Sequence, residues 1–199
     1  MAENYEFPEI AAQRHIDDST LWVLSYYRSS ELAGALLMGK MARHAQDDEL
    51  ISILTWHFAE EARHAWRWTE FIRKLGAQPL DIKETYQSNY FSAVGILNTD
   101  IELLAITQVF EKRVAFHLTL HRSMPDNHPA VIDLLDVMLH DEGPHIRWAF
   151  ERLRAYPDQQ LVKQTINKFA QIDEKVYINE LKKFAQKGWK IPSKILNKI

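Results

Sequence analysis

Cysteine is absent from this 199-residue sequence. Its absence excludes structural disulfides, thiolate zinc sites and iron–sulfur clusters. A run of eighteen apolar residues is also missing, so no stretch reads as a membrane-spanning helix. Residues 1–10 are acidic and lack the apolar core of a signal peptide, which leads us to expect a cytoplasmic protein without a membrane partner. Neither sign of charge dominates. The 24 basic and 27 acidic side chains leave a formal charge of −3, which argues against a polyanionic partner such as nucleic acid. With 46% hydrophobic and 26% charged residues, the chain has the composition of one soluble domain able to bury a full core. We expect a single domain over 1–199, with a core bundle at about 18–155 and a C-terminal helix and basic tail at about 158–199.

Against that ordinary background stand two Glu-x-x-His motifs, Glu61/His64 and Glu142/His145. Each follows a lone glutamate, Glu31 in the first half and Glu111 in the second, by thirty and thirty-one residues. One such motif carries little weight in a chain with nine histidines, but the doubled spacing is specific. Residues three apart share one face of a helix, so each pair can aim two ligands at one point. A helical hairpin with a short turn brings the lone glutamate alongside. Two facing hairpins then gather four carboxylates and two imidazoles, the ligand set of a dinuclear iron or manganese site.

The flanking residues put these six on apolar stripes. Leu50, Leu54, His57, Glu61, His64, Trp68, Phe71 and Leu75 follow one another at three- and four-residue steps, the seam of a helix packed in a bundle. Leu135, Met138, Glu142, His145 and Ala149 repeat the pattern. So do Leu24, Tyr27, Glu31, Ala35 and Met38, and Leu104, Gln108, Glu111, Ala115 and Leu118. Four buried carboxylates must be protonated, paired or bound to metal. Two divalent ions balance four glutamates. The competing reading is a metal-free bundle with buried salt bridges, in which inward glutamates outnumber their positive partners. Glu102 is an alternative to Glu111, but it breaks the thirty-residue symmetry. His57 reads as a core histidine satisfied by a hydrogen bond rather than as a seventh ligand. His15, His44, His117, His121, His128 and His140 fall off the seams and read as surface or structural residues.

Punctuation predicts five helices. Asp17, Asp18 and Ser19 can cap a first helix running to about Ala45. A turn at Gln46 and Asp47 starts the second, which ends at Leu75 before Gly76. Residues 77–98 form a long connection. The third helix spans about Thr99 to Ser123, and the fourth starts at Pro129 and stops before Pro157. The fifth covers about 158–187. Within the fourth, Gly143 and Pro144 interrupt the second Glu-x-x-His motif, which predicts a kink or widened turn there.

The six-ligand pattern, and the stretch Phe58-Ala59-Glu60-Glu61-Ala62-Arg63-His64-Ala65, resemble the ferritin-like di-iron carboxylate superfamily, and the latter especially its rubrerythrin branch. The resemblance covers about 18–155. It implies an all-α fold, a ferritin-like four-helix bundle with a long crossover between the second and third helices, plus a fifth C-terminal helix. It also implies Glu31, Glu61, His64, Glu111, Glu142 and His145 as metal ligands. Glu60 and Asp141 match acidic positions that hydrogen-bond a ligand histidine of the opposite hairpin. Without cysteine there is no rubredoxin module of the kind rubrerythrins carry, so an external electron donor is required. Position 114 is Val where rubrerythrins have a further glutamate, which weakens the case for their peroxidase chemistry.

Beyond one side of the expected metals, Gly34, Ala35, His57, Gln108 and Ala149 form a thinly filled layer, a candidate cavity for substrate or dioxygen. On the other side Tyr27 and Trp68 are candidate redox aromatics. Lys182, Lys183, Lys187, Lys190, Lys194 and Lys198 make a basic tail, read as a solvated segment. The expected function is a di-iron oxidase or oxygenase that activates dioxygen on a small organic substrate, with manganese or mixed Fe/Mn as alternatives to two iron ions. A peroxide-reducing rubrerythrin relative and an iron-handling protein are the other readings; iron storage requires a large cage assembly, and a homodimer is compatible with the two enzyme readings.

Overall fold

The computed structural model describes residues 16–125, 127–189 and 191. They form six α-helices, α1 (Asp18–His44), α2 (Asp48–Lys74), α3 (Tyr86–Val94), α4 (Asp100–Arg122), α5 (Pro129–Ala155) and α6 (Gln159–Gln186), and no strand among the described residues. Side-chain caps start several of these helices. Asp17 accepts the Thr20 amide at 2.7 Å and Asp47 the Leu50 amide at 2.7 Å, each satisfying an amide that has no partner within its helix. Because only Ala45 to Asp47 separate them, α1 and α2 form a hairpin and pack along each other. A second packed pair is α4 with α5. His128 caps α5, its Nδ1 accepting the Ala130 amide at 3.1 Å, and Pro129 occupies the first turn where no amide partner is needed.

One helix was not expected. The connection between α2 and α4 contains α3, which begins at a capping box made by Thr85 and Ser88 and ends at Gly95 with φ +79°. It buries Tyr86 and Tyr90 and packs against α1 and α6. Helix α6 lies against α4 as well as α3. That placement makes α4 buried nearly all round, so His117 and His121 are interior residues rather than surface ones. His44 and His140 are exposed, while His15 lies outside the described residues.

The apolar stripes meet as their spacing requires. Leu24, Leu54, Trp68, Phe71, Phe110, Leu135 and Met138 are fully or almost fully buried, whereas Leu75 and Ala115 are only half-buried. Helix α5 runs through Gly143 and Pro144 as continuous α-helix, and the expected widened turn is absent. One missing amide and a ring clash cost about 3 kcal/mol. Burial of Met138, Glu142, His145 and Ala149 on either side holds the helix in register against that cost. No helix among the described residues is long and apolar enough to cross a membrane.

Candidate metal centre

Helix α1 supplies Glu31, α2 supplies His57, Glu61 and His64, α4 supplies Glu111, and α5 supplies Glu142 and His145. All seven are at most 2% exposed. They fall into two groups of four, Glu31, Glu61, His64 and Glu142 in one and His57, Glu61, Glu111 and His145 in the other. Within each group one donor atom per residue lies within 4.8 Å of the others, and Glu61 belongs to both. The His145 Nδ1 is 3.4 Å from Glu61 Oε1 and 3.2 Å from Glu142 Oε2, and the His64 Nδ1 is 3.5 Å from Glu142 Oε1. The neighbourhood of Glu61 explains a small residue on α1. A Cβ on Gly34 would stand 2.6 Å from Glu61 Oε2, so only glycine leaves room for that carboxylate.

Burial dominates the electrostatics. It raises Glu31 and Glu111 well above the ordinary carboxylate range, and the neighbouring Glu61 and Glu142 charges push the same way. Burial also acts against ionised Glu61, but His57, His145 and His64 outweigh it and hold its carboxyl at about 2. His57 is lowered by burial. His145 is opposed by burial and yet raised, because Glu142 and Glu61 face it. In the absence of cations the cluster therefore keeps protons on some carboxylates and charge on others.

Hydrogen bonds do not satisfy this cluster. Glu31 Oε2, Glu61 Oε1, both oxygens of Glu111, Glu142 Oε1, both nitrogens of His57 and of His64, and His145 Nε2 have no hydrogen-bond partner. A buried polar atom left unpaired costs about 1–3 kcal/mol. So dense a set of unpaired oxygen and imidazole donors fits hard or borderline divalent metals, which bind both kinds of atom.

The surroundings differ from the sequence reading at Glu60 and His57. Asp141 lies on α5 with Oδ2 3.5 Å from His64 Nε2, and it also bonds Arg67. Burial acts against its charge, but His64 and Arg67 outweigh that and hold its carboxyl well below the usual range. Glu60 instead bonds Arg63 on its own helix and groups with His64 and Asp141, and among the described contacts it makes no bond to His145 of the opposite hairpin. The i, i+3 spacing to Arg63 offers it a nearer partner. His57 is not the hydrogen-bonded core histidine expected. Its Nε2 is 3.1 Å from Glu111 Oε1 and 3.3 Å from Glu61 Oε1, with neither approach aligned as a hydrogen bond, and its ring is 3.9 Å from that of His145. The available signal was its position on the seam, four residues before Glu61. Glu102 is on the outside, bonded to the Asn98 amide and Lys168.

The five residues of the expected cavity do not behave as one lining. The space beside Gly34 holds the Glu61 carboxylate, and His57 turns to the cluster, while Gln108 lines a separate cavity between α4, α5 and α6. Ala35 and Ala149 are buried packing positions. On the opposite side Trp68 Nε1 reaches Glu31 Oε1 at 3.4 Å, the Trp68 and Tyr27 rings are 5.1 Å apart, and Tyr27 Oη is 2.9 Å from His121 Nδ1. A void of about 30 Å³, enough for one water, touches Glu31, Ser30, Gln87, Val114 and His117. Of the basic tail, Lys183 pairs with Glu180 and Glu84, Lys187 lies over Trp22, and Lys182 is exposed. Lys190, Lys194 and Lys198 lie outside the described residues, as does the stretch 1–10.

The buried histidine and glutamate groups can thus hold metal ions. No protein-family model matches the sequence, and no curated protein and no solved structure matches it either. Any functional reading rests on the site itself.

Proposed function

We propose that this chain is a dinuclear metal protein of the ferritin-like kind, most simply a di-iron oxidase or oxygenase acting on a small organic molecule. The observation that carries the reading is the pair of four-donor groups joined at Glu61, with most of their inward atoms unpartnered. On this reading α1, α2, α4 and α5 are the four-helix core, the connection carrying α3 is the crossover, and α6 is the added helix. Glu31, His64 and Glu142 would hold one ion, His57, Glu111 and His145 the other, and Glu61 would serve both. Reduced iron at such a site supplies electrons to dioxygen or peroxide, and manganese or a mixed pair fits the same donors.

The chain's own residues do the rest. Asp141 Oδ2 faces the outer nitrogen of His64 at 3.5 Å, and its negative charge favours a ring whose inward nitrogen is the donor to a metal. Gly34 gives Glu61 its space. Trp68 and Tyr27 connect Glu31 with His121 through close contacts, a route by which an external donor could deliver electrons.

Anaerobic reconstitution with Fe(II), followed by metal analysis and Mössbauer spectroscopy before and after dioxygen or peroxide, tests the proposal. We expect two ions per chain and a coupled diferric spectrum after oxidation. Trace metal, or one uncoupled ion, would sink it. Rapid peroxide consumption with no organic product would favour a peroxide reductase, and assembly into a large cage would favour iron handling.

A further inference from the structure

The cavity between α4, α5 and α6 has a volume of about 640 Å³, within the usual range for small-molecule sites. Its wall is apolar at Phe150, Val162 and Ile166. Besides Arg113, which pairs with Asp173 of the same wall, three cations line it, Lys112 from α4, Arg154 from α5 and Lys163 from α6. These three side chains are exposed and form no ion pair among the described residues. Gln108 also lines the cavity. It is 2% exposed, and neither its amide oxygen nor its amide nitrogen has a hydrogen-bond partner. A buried amide without partners costs free energy unless a ligand or water meets it. On α4, Gln108 precedes Glu111 by three residues, so the two side chains share a helix face.

We propose that this cavity binds a small amphipathic monocarboxylate. Its carboxylate meets Lys112, Arg154 and Lys163 at the surface, and its apolar body lies on Phe150, Val162 and Ile166. Its inner end carries a hydroxyl, carbonyl or amine that bonds the Gln108 amide. One anionic group suits three cations that no acid neutralises. One inner polar group suits an amide offering both a donor and an acceptor. Binding itself needs no metal. Only the further step, that this ligand is the substrate, rests on the dinuclear reading, with Gln108 directing its inner end toward the Glu111 face.

Isothermal titration calorimetry of the full chain, metal-free and metal-loaded, with decanoate, 10-hydroxydecanoate and decanol as probes, tests this. We expect saturable binding of one decanoate per chain in both forms, and weaker binding of decanol. The double variant Lys112→Glu/Lys163→Glu changes only exposed positions and should bind decanoate about tenfold more weakly, with an unchanged circular dichroism spectrum and metal content. The hydroxy acid should bind more tightly than decanoate, and Gln108→Leu should erase that advantage while leaving decanoate itself bound. Ala170→Trp, which fills the cavity wall, should abolish binding of all three. No saturable binding, or binding indifferent to the rim charges, would overturn the proposal, and so would decanol binding as tightly as decanoate. Uptake of decanoate by a chain that takes up no metal would keep the cavity and remove the dinuclear reading. Two metals with no decanoate would do the reverse.

Discussion

Two buried polar networks lie on either side of Glu31, and they differ in how they are satisfied. In the network around α3, α4 and α6, Tyr26 donates to Glu180 at 2.9 Å, and Tyr86 donates to Asp173 at 2.7 Å. Arg113 grips both oxygens of Asp173, His117 meets the Tyr177 hydroxyl at 2.9 Å, and Asn89 donates to Glu180 at 2.8 Å. Most donors and acceptors here are matched, His117 Nε2 being an exception, and Arg113 pairs with Asp173 as Lys183 does with Glu180. In the other network, contributed by α1, α2, α4 and α5, carboxylates face imidazoles across 3.1–3.5 Å with most inward atoms unpaired. Both are largely buried, although Arg113 and Asn89 of the first are only half-buried. The contrast shows that unmet polar capacity, not burial, marks a candidate site. A satisfied network specifies packing, and an unsatisfied one implies a missing partner.

The sharpest way to break the comparison is Glu61→Gln. Glu61 belongs to both groups, so we expect metal content after Fe(II) loading to fall from two ions per chain to near zero by elemental analysis. The variant should still fold. Retention of both ions would show that Glu61 does not join the groups. In the satisfied network the reverse is expected. Asp173→Ala leaves Arg113 short of its main partner and should destabilise the fold by about 3 kcal/mol. In a chain of this length that lowers Tm by roughly 10 °C, with metal content unchanged. A change in metal content without a change in Tm would mean that the networks had been confused.

A third expected outcome concerns acid. Burial lowers His117 to about 3 and His121 to about 4, below the ordinary histidine value. The unfolded chain therefore binds more protons than the folded one between roughly pH 4 and 6.5. Stability is fully present above about 6.5 and falls as pH drops through that window, by about 2 kcal/mol per histidine between pH 6.5 and 5. Denaturant melts of metal-free protein across this range check it, and His117→Gln should flatten the slope. A stability that holds level from pH 7 to 5 would contradict it. The smallest effect expected is at Gly34. A Cβ there meets Glu61 Oε2 at 2.6 Å, so Gly34→Ala should cost about 1–2 kcal/mol as overpacking and weaken metal uptake. Gly143→Ala, whose Cβ meets nothing, is the control that should leave metal uptake alone.

Much of this molecule can be read from residue spacing. The boundaries of α1, α2, α4, α5 and α6 follow from Asp17, Asp47, Gly76, Thr99, Pro129 and Pro157, because caps and breakers act within a few residues of themselves. Helix α3 was missed although its capping box lies in the sequence. Nine residues are too short to show a period, and burial of Tyr86 and Tyr90 against α1 and α6 supports a helix that local pattern does not announce. His57 was legible as a seam residue but not as a member of the cluster. Its environment depends on Glu111, which comes from another helix.

What the sequence by itself determined was a set of helices, their buried faces and the presence of acidic and imidazole donors on those faces. Helical periodicity is local, so a single chain of letters carries it. Three things were decided only by tertiary structure. Glu60 turns to Arg63 on its own helix, His117 is covered by α6 and His121 by Tyr27 and Trp189, and Gln108 opens onto a cavity walled by α5 and α6. Each depends on which helix lies beside which, and that follows from how all the buried faces pack at once rather than from any one of them.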